Sequence, residues 1–433
     1  MRNQEVFILD GGVPEVEFWV GIDTHSETHT VAVLDAAGRT LMTGTYPATK
    51  TGYQEVVEGL VCLGRPAQFR VGVEGTNSYG AGLSRTLQTA GFEVFEVLRP
   101  ARRVRRMDGK SDPIDAVEAA RTLMSGRGVS VPKNGVGHAE SLRYLHAARD
   151  KYVGMMTAIS NAVLALVVTA PVSLREKYAQ KTTEKTIAAL AACRPGMRDH
   201  AGTDYHVLSA LRSMAQTYGD LKEEAGRLEE QMRVILEDHY RALLAIYGVG
   251  VVAAADLAVT AGDNPERIRS EAAFAKLCGA CPIPASSGKT NRHRLNRGGD
   301  RRANRALHRI ALVRMSSHRE TRAYVEKQTQ RGKGKKEILR QLKRFICREI
   351  YRALVKPETI KQPVVGSELR AQREAQGFTR PQVAKILGTW PSRISDIERD
   401  RFPALELRGK YHDWLQTNQT QVITLTPEQQ KAA

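Results

Sequence analysis

The 433-residue chain carries 65 Lys and Arg against 47 Asp and Glu, a formal net charge of +18, and 42% of its residues are hydrophobic. That length predicts two to four domains with real cores, and the charge points to a polyanionic partner, with nucleic acid first. The longest apolar stretch read from the sequence, 161–172, is too short to cross a bilayer. The N-terminus has acids where a secretory signal needs a basic and then an apolar run, and five scattered cysteines argue against a disulfide framework. The expectation is a soluble, cytoplasmic, nucleoid-associated protein of prokaryotic style with no membrane partner. Cys278 and Cys281 form a C-x-x-C but lack a second pair or a histidine cluster at zinc-finger spacing.

After an extension at 1–16, residues 17–130 alternate between strand and helix signals. "EFWVGIDTHS" and "HTVAVLDAAG" predict a hairpin, and "RTLMTGTYPA" supplies a third strand. A helix over "TGYQEVVEGLVCLG" follows, with Thr51 as its candidate cap. Then come a strand at "QFRVGVEGT", a helix ending at Gly91, a strand at "FEVFEVL" and a closing helix from "DPIDAVEAARTL". Three hairpin strands followed by strands joined through helices describe a mixed sheet whose late strands are parallel, the order of ribonuclease-H-like α/β folds.

Residues 131–245 turn long and helical. Leu221, Leu228, Met232, Ile235, Leu243 and Ile246 approximate a heptad stripe, either a coiled-coil surface or a face packed within the chain. From 246 to 356 the chain is mainly helical, Gly-punctuated and then strongly basic. Its Gly-x-Gly at 248–250 is shared by phosphate-binding turns and by ordinary helix C-caps. Between 287 and 356 Lys and Arg outnumber Asp and Glu several-fold, which favours a phosphate-binding surface over a merely solvated face. A linker at 357–365 leads to a small all-α unit at 366–416 and a tail at 417–433. That unit carries a helix-turn-helix pattern whose spacing resembles the phage-repressor type, an arrangement that would turn Ser392, Arg393 and Asp396 toward a major groove.

Within "KSDPIDA", Asp112 and Asp115 sit three apart, and Pro113 suits a helical first turn. They read either as an N-cap and a first-turn acid, or as two carboxylates on one helix face that hold a metal. Asp23 ends the first predicted strand and Glu74 ends the fourth. In a ribonuclease-H-like sheet those ends lie side by side with the closing helix nearby, so four carboxylates from three segments converge. Clustered carboxylates repel until a hard divalent cation such as Mg²⁺ or Mn²⁺ relieves them, and such an ion also polarises a phosphodiester.

The run from Asp23 through Glu74 to "KSDPIDA", followed by helices and by "FAKLCGACPIPASSGKTNRHRLNRGGDRRANRALH", resembles the insertion-sequence transposases with an Asp-Glu-Asp-Asp RuvC-like domain and a C-terminal serine domain. These are relatives of the pilin-gene invertase and include the bridge-RNA-guided recombinases. The resemblance covers roughly 17–356 and implies that Asp23, Glu74, Asp112 and Asp115 are metal ligands and Ser287 the nucleophile, with Ser286 adjacent. A serine hydroxyl needs activation, and its attack would store the strand's bond energy in a phosphoserine linkage. Lys289, Arg292, Arg294 and Arg297 would neutralise the developing charge, with Arg301, Arg302 and Arg305 on the following helix and Ser392 and Arg393 in the small unit as further DNA contacts. The family also implies a noncoding guide RNA and a homo-oligomer, dimer or tetramer. The rival functions are a structure-selective metal-dependent nuclease and a helix-turn-helix regulator without catalysis.

Overall fold

The computed structural model describes residues 16–98, 111–178, 182–195, 202–286, 293–360, 364–399 and 405–424. They form two compact units, one running to Glu140 with Ala261–Arg267 added, the other comprising Ser141–Thr260 and Ile268 onward. The first is thus larger than the 17–130 expected.

The first unit is built on strands β1 (Phe18–Thr24), β2 (Thr28–Asp35), β3 (Thr40–Pro47), β4 (Phe69–Glu74), β5 (Glu93–Val97) and β6 (Val129–Ser130). Their order in the sheet is β3-β2-β1-β4-β5-β6, with β1, β4 and β5 parallel and β2, β3 and β6 antiparallel to their neighbours. Helices α1 (Lys50–Leu63) and α2 (Ala81–Thr89) cover one face, where Val20, Ile22, Val71 and Val73 meet Val56, Leu60, Leu83 and Leu87. Helix α3 (Asp112–Met124) covers the other through Ala116, Ala119, Ala120 and Leu123. Strands buried on both faces read as near-continuous apolar runs, as β1 and β4 do. The cap of α1 is Thr49, whose hydroxyl accepts from Gly52 N at 3.2 Å, and not Thr51, which is already helical.

Gly21 sets the approach of α3 to β1. A Cβ there would lie 2.1 Å from the Ala116 carbonyl oxygen and 2.3 Å from Ala120 N. Only glycine lets strand and helix backbones come that close. The far segment joins through Asp263, whose carboxylate accepts from the backbone N–H groups of Gly137, Ala139 and Glu140, and through Asn264, which donates to Pro132 O. Those bonds are why the unit runs past residue 130.

In the second unit, α4 (His138–Thr169), which begins in the first, leads to α5 (Val172–Tyr178), α6 (Thr183–Ala192), α7 (Thr203–His239), α8 (Arg241–Leu244) and α9 (Val251–Ala261). Ile159, Val163 and Val167 of α4 pack with Ile187, Leu190, Leu211 and Ala215. An 18-residue window of α4 has mean hydropathy 1.7, so by length and composition this helix could cross a membrane, beyond what the 161–172 stretch alone indicated. Met155, Leu166 and Val168 on it are exposed. The expected heptad stripe is interrupted. Helix α7 stops at His239, where Tyr240 leaves helical geometry, and its buried positions are Leu211, Ala215, Ala225, Met232 and Leu236.

Then follow α10 (Glu271–Leu277), the two-residue strands β7 (Ile283–Pro284) and β8 (His293–Arg294), α11 (Arg301–Ser317), α12 (Arg319–Gln330) and α13 (Lys335–Val355). Four further helices, α14 (Gly366–Ala375), α15 (Arg380–Ile386), α16 (Pro391–Glu398) and α17 (Leu405–Thr424), enclose their own core of Leu369, Val383, Ala384, Ile394, Ile397, Tyr411 and Leu415. Beneath it the buried Glu398 carboxylate accepts from Arg373, Arg380 and Tyr411.

Candidate metal centre and nucleic-acid interface

The parallel register pairs Ile22 with Val73, so Asp23 and Glu74 are the next residues at adjacent strand ends. The Thr24 hydroxyl donates to the Glu74 carbonyl at 2.7 Å and ties those ends together. Asp115 stands on α3 beside Ala116, the residue whose carbonyl abuts Gly21. Asp23, Glu74 and Asp115 are all buried, at 5%, 6% and 4% exposure. Asp112, with a side chain 48% exposed, sits at the rim.

Asp112 is the first residue of α3, with Ser111 in the cap position, so it does not serve as the N-cap. Its carboxylate lies 3.6 Å from His25 Nε2, which is 3.1 Å from Asp23 Oδ2. Among the described residues, Asp23, His25 and Asp112 form the group of metal-competent side chains whose ligand atoms all lie within 4.8 Å of one another. Sequence reasoning missed His25. The available signal was its spacing, since a residue two beyond Asp23 along an extended chain returns to the same side. Glu96 on β5 adds a fifth acid nearby. Burial pushes it up to about 7, against the Thr76 backbone and the charges of Lys133 and Arg267, which pull it down. A donor set dominated by carboxylates fits a hard divalent cation.

In the second unit, β7 and β8 pair antiparallel, Ile283 with Arg294 and Pro284 with His293. Ser286 is exposed beside β7, while Ser287, Lys289 and Arg292 lie outside the described residues. Asp300 caps α11 by accepting from Arg302 N and Ala303 N, which starts that helix directly after the glycine-rich turn. Arg294, Arg297 and Arg301 are exposed. Arg302 and Arg305 are engaged within the fold: Asp150 lies 3.9 Å from Arg302 and 3.3 Å from Arg305, and Asp256 lies 3.7 Å from Arg305. Asp256 is also 3.3 Å from the buried His146. Burial pushes Asp256 up to about 6 although Arg305 pulls it down, and burial lowers His146.

The C-x-x-C thiols take no part in the metal group. Cys278 is fully buried, and the neighbouring Cys347 together with burial holds it well above the usual thiol range. In the small four-helix unit, Ser392 and Arg393 are exposed on the first turn of α16, next to the exposed Trp390, and Asp396 is half-buried.

Two family models match this chain. Residues 20–170 match a transposase model of the Asp-Glu-Asp-Asp type named for IS110, and residues 240–326 match the transposase model of the IS116/IS110/IS902 family. A 135-residue stretch is 33% identical to the "Insertion element IS110 uncharacterized 43.6 kDa protein" of Streptomyces coelicolor. That alignment takes in 30% of this chain and 33% of the relative, so the chain spans about a third of that protein's length.

Proposed function

We propose, from the premise that the chain belongs to the IS110 family of transposases, that it cuts and rejoins DNA strands of a mobile element through a serine-bound intermediate. The observation that carries this reading is the gathering of Asp23 and His25, from the end of β1, with Asp112, from the first turn of α3, beside the buried Glu74 at the end of β4 and the buried Asp115 on α3. These residues would hold Mg²⁺ or Mn²⁺. Such an ion would lower the cost of forming an alkoxide and neutralise charge on a phosphodiester.

The Ser287 hydroxyl attacks phosphorus. A serine oxygen–phosphorus bond forms, the bond to one bridging sugar oxygen breaks, and that sugar leaves as a hydroxyl carrying the proton. A sugar hydroxyl of the recombining strand then displaces the serine, so the phosphodiester energy is conserved. Lys289, Arg292, Arg294, Arg297 and Arg301 supply positive charge to the phosphate in flight. Arg302 and Arg305, paired with Asp150 and Asp256, contribute chiefly by fixing α11. The resemblance to the bridge-RNA-guided recombinases supports a noncoding RNA as the source of target choice. The exposed apolar residues of α4 support a homo-oligomer. The helix-turn-helix arrangement of α15 and α16 supports a second site for duplex DNA.

The test is a denaturation-resistant protein–DNA adduct, formed with Mg²⁺, DNA bearing the element's junction and RNA transcribed from its flanks. Wild type is expected to form it, and Ser287→Ala and Asp115→Asn each to lose it. Cleavage that survives Ser287→Ala without an adduct would make the enzyme a metal-dependent nuclease. Metal-independent binding with no cleavage would make it a regulator.

A further inference from the structure

A cleft of about 800 Å³ opens in the second unit between the turn at 279–282, β8 with the residues that follow it, and α13. Its size falls in the range of about 300–1,000 Å³ typical of sites that enclose a small organic group. Arg294, Arg297 and Arg301 line one wall and Arg340 the facing helix, with Glu337 the single acid among the described lining residues. Among the apolar side chains of its lining, two large ones stand well out toward solvent beside these cations. Leu295 is 54% exposed and Phe345 is 45% exposed. The Phe345 ring is braced edge-on by Tyr324, with centroids 5.8 Å apart and planes at 87°, so it is held in place while part of it faces solvent.

A duplex backbone needs only the cations. Its bases are stacked on one another and offer no open face to an aromatic ring. An unpaired base does, and basic grooves that hold single strands combine phosphate-binding cations with aromatic platforms of this kind. We propose that this cleft holds an unpaired nucleotide of the DNA strand being exchanged, with its phosphates against Arg294, Arg297 and Arg340 and its base stacked on Phe345. The inference rests on the reading of the chain as a DNA strand-exchange enzyme and specifies what its basic unit grips.

The experiment measures binding of the full chain to a synthetic DNA duplex with one unpaired 2-aminopurine, and to the same duplex fully paired. Wild type is expected to bind the first more tightly and to quench its fluorescence. Phe345→Ala should shrink that preference on the order of tenfold, the usual effect of removing one stacking ring, and Phe345→Trp should keep it. Equal affinity of wild type for the two duplexes, or a preference untouched by Phe345→Ala, overturns the cleft assignment while leaving DNA binding intact. Tighter binding of the corresponding unpaired RNA overturns the choice of strand. Failure to bind either duplex defeats the underlying DNA reading as well.

Discussion

Asp256 is 3% exposed, and its carboxyl is held at about 6, above its ordinary 3.8, because burial outweighs the attraction of Arg305. The folded chain therefore binds more protons than the unfolded one between about pH 4 and 6, and this residue's effect on stability becomes less favourable as pH rises through that window. Asp256→Asn removes the titration. Measured by thermal unfolding, the variant is expected to gain on wild type from pH 4 to pH 7 by at most about 3 kcal/mol, with the Arg305 attraction already contained in that shift. A difference that stays flat across the window would count against a buried, titrating Asp256. At this scale the sequence was legible where backbone logic governs. Asp23 and Glu74 could be placed at strand ends from the apolar runs leading to them, and Asp115 from its position in a helical first turn. For His25 the sequence offered only its spacing from Asp23; its closeness to Asp112, which arrives from another segment, was not legible. The ties of Arg302 and Arg305 were hidden for a related reason. A run of arginines announces charge but not the acids that hold it, such as Asp150, 155 residues from Arg305.

Helix α4 is where local pattern and packing part company. One face enters a core through Ile159, Val163 and Val167, while Leu166 and Val168 remain 44% and 62% exposed. Exposed apolar positions grouped on one element mark a contact surface more often than a chance of composition. The double substitution Leu166→Glu and Val168→Glu is expected to reduce the mass measured by light scattering to that of a smaller assembly, and an unchanged mass would remove this face from the proposed oligomer contact. Strand order, helix order and the mixed sheet were legible because period-2 and period-3.6 patterns are strong over long segments. The break after His239 was not. Leu243 and Ile246 continue the heptad spacing of α7, yet Tyr240 takes the chain out of the helix, and periodicity alone carries no sign of such a turn.

On the scale of the whole molecule, positive charge is concentrated between residues 287 and 356, and the four small helices after that stretch have a separate core and a buried ion network. Glu398 lies below the usual carboxylate range. Burial would raise it, but hydrogen bonds from Arg373, Arg380 and Tyr411 outweigh that. A chain ended after Lys356 is therefore expected to keep the serine adduct and to lose affinity for duplex DNA, with a shallower dependence of binding on salt because fewer phosphates are contacted. Unaltered affinity and slope would show that these helices do not grip DNA. Their separateness could be read from the prolines at 357 and 363 and the change of pattern beyond them.

The carboxylate of Asp263, which receives three N–H groups from the start of α4, also gives the molecule a timetable. A ribosome adds about 5–20 residues each second, so the stretch between Glu140 and Asp263 takes on the order of ten seconds to make. Throughout that interval the Gly137, Ala139 and Glu140 N–H groups lack the Asp263 carboxylate, and the unit that bears the candidate metal ligands lacks its last piece. The nascent chain must carry an incomplete first unit past most of its helical middle, and proteases and chaperones have that time in which to meet it.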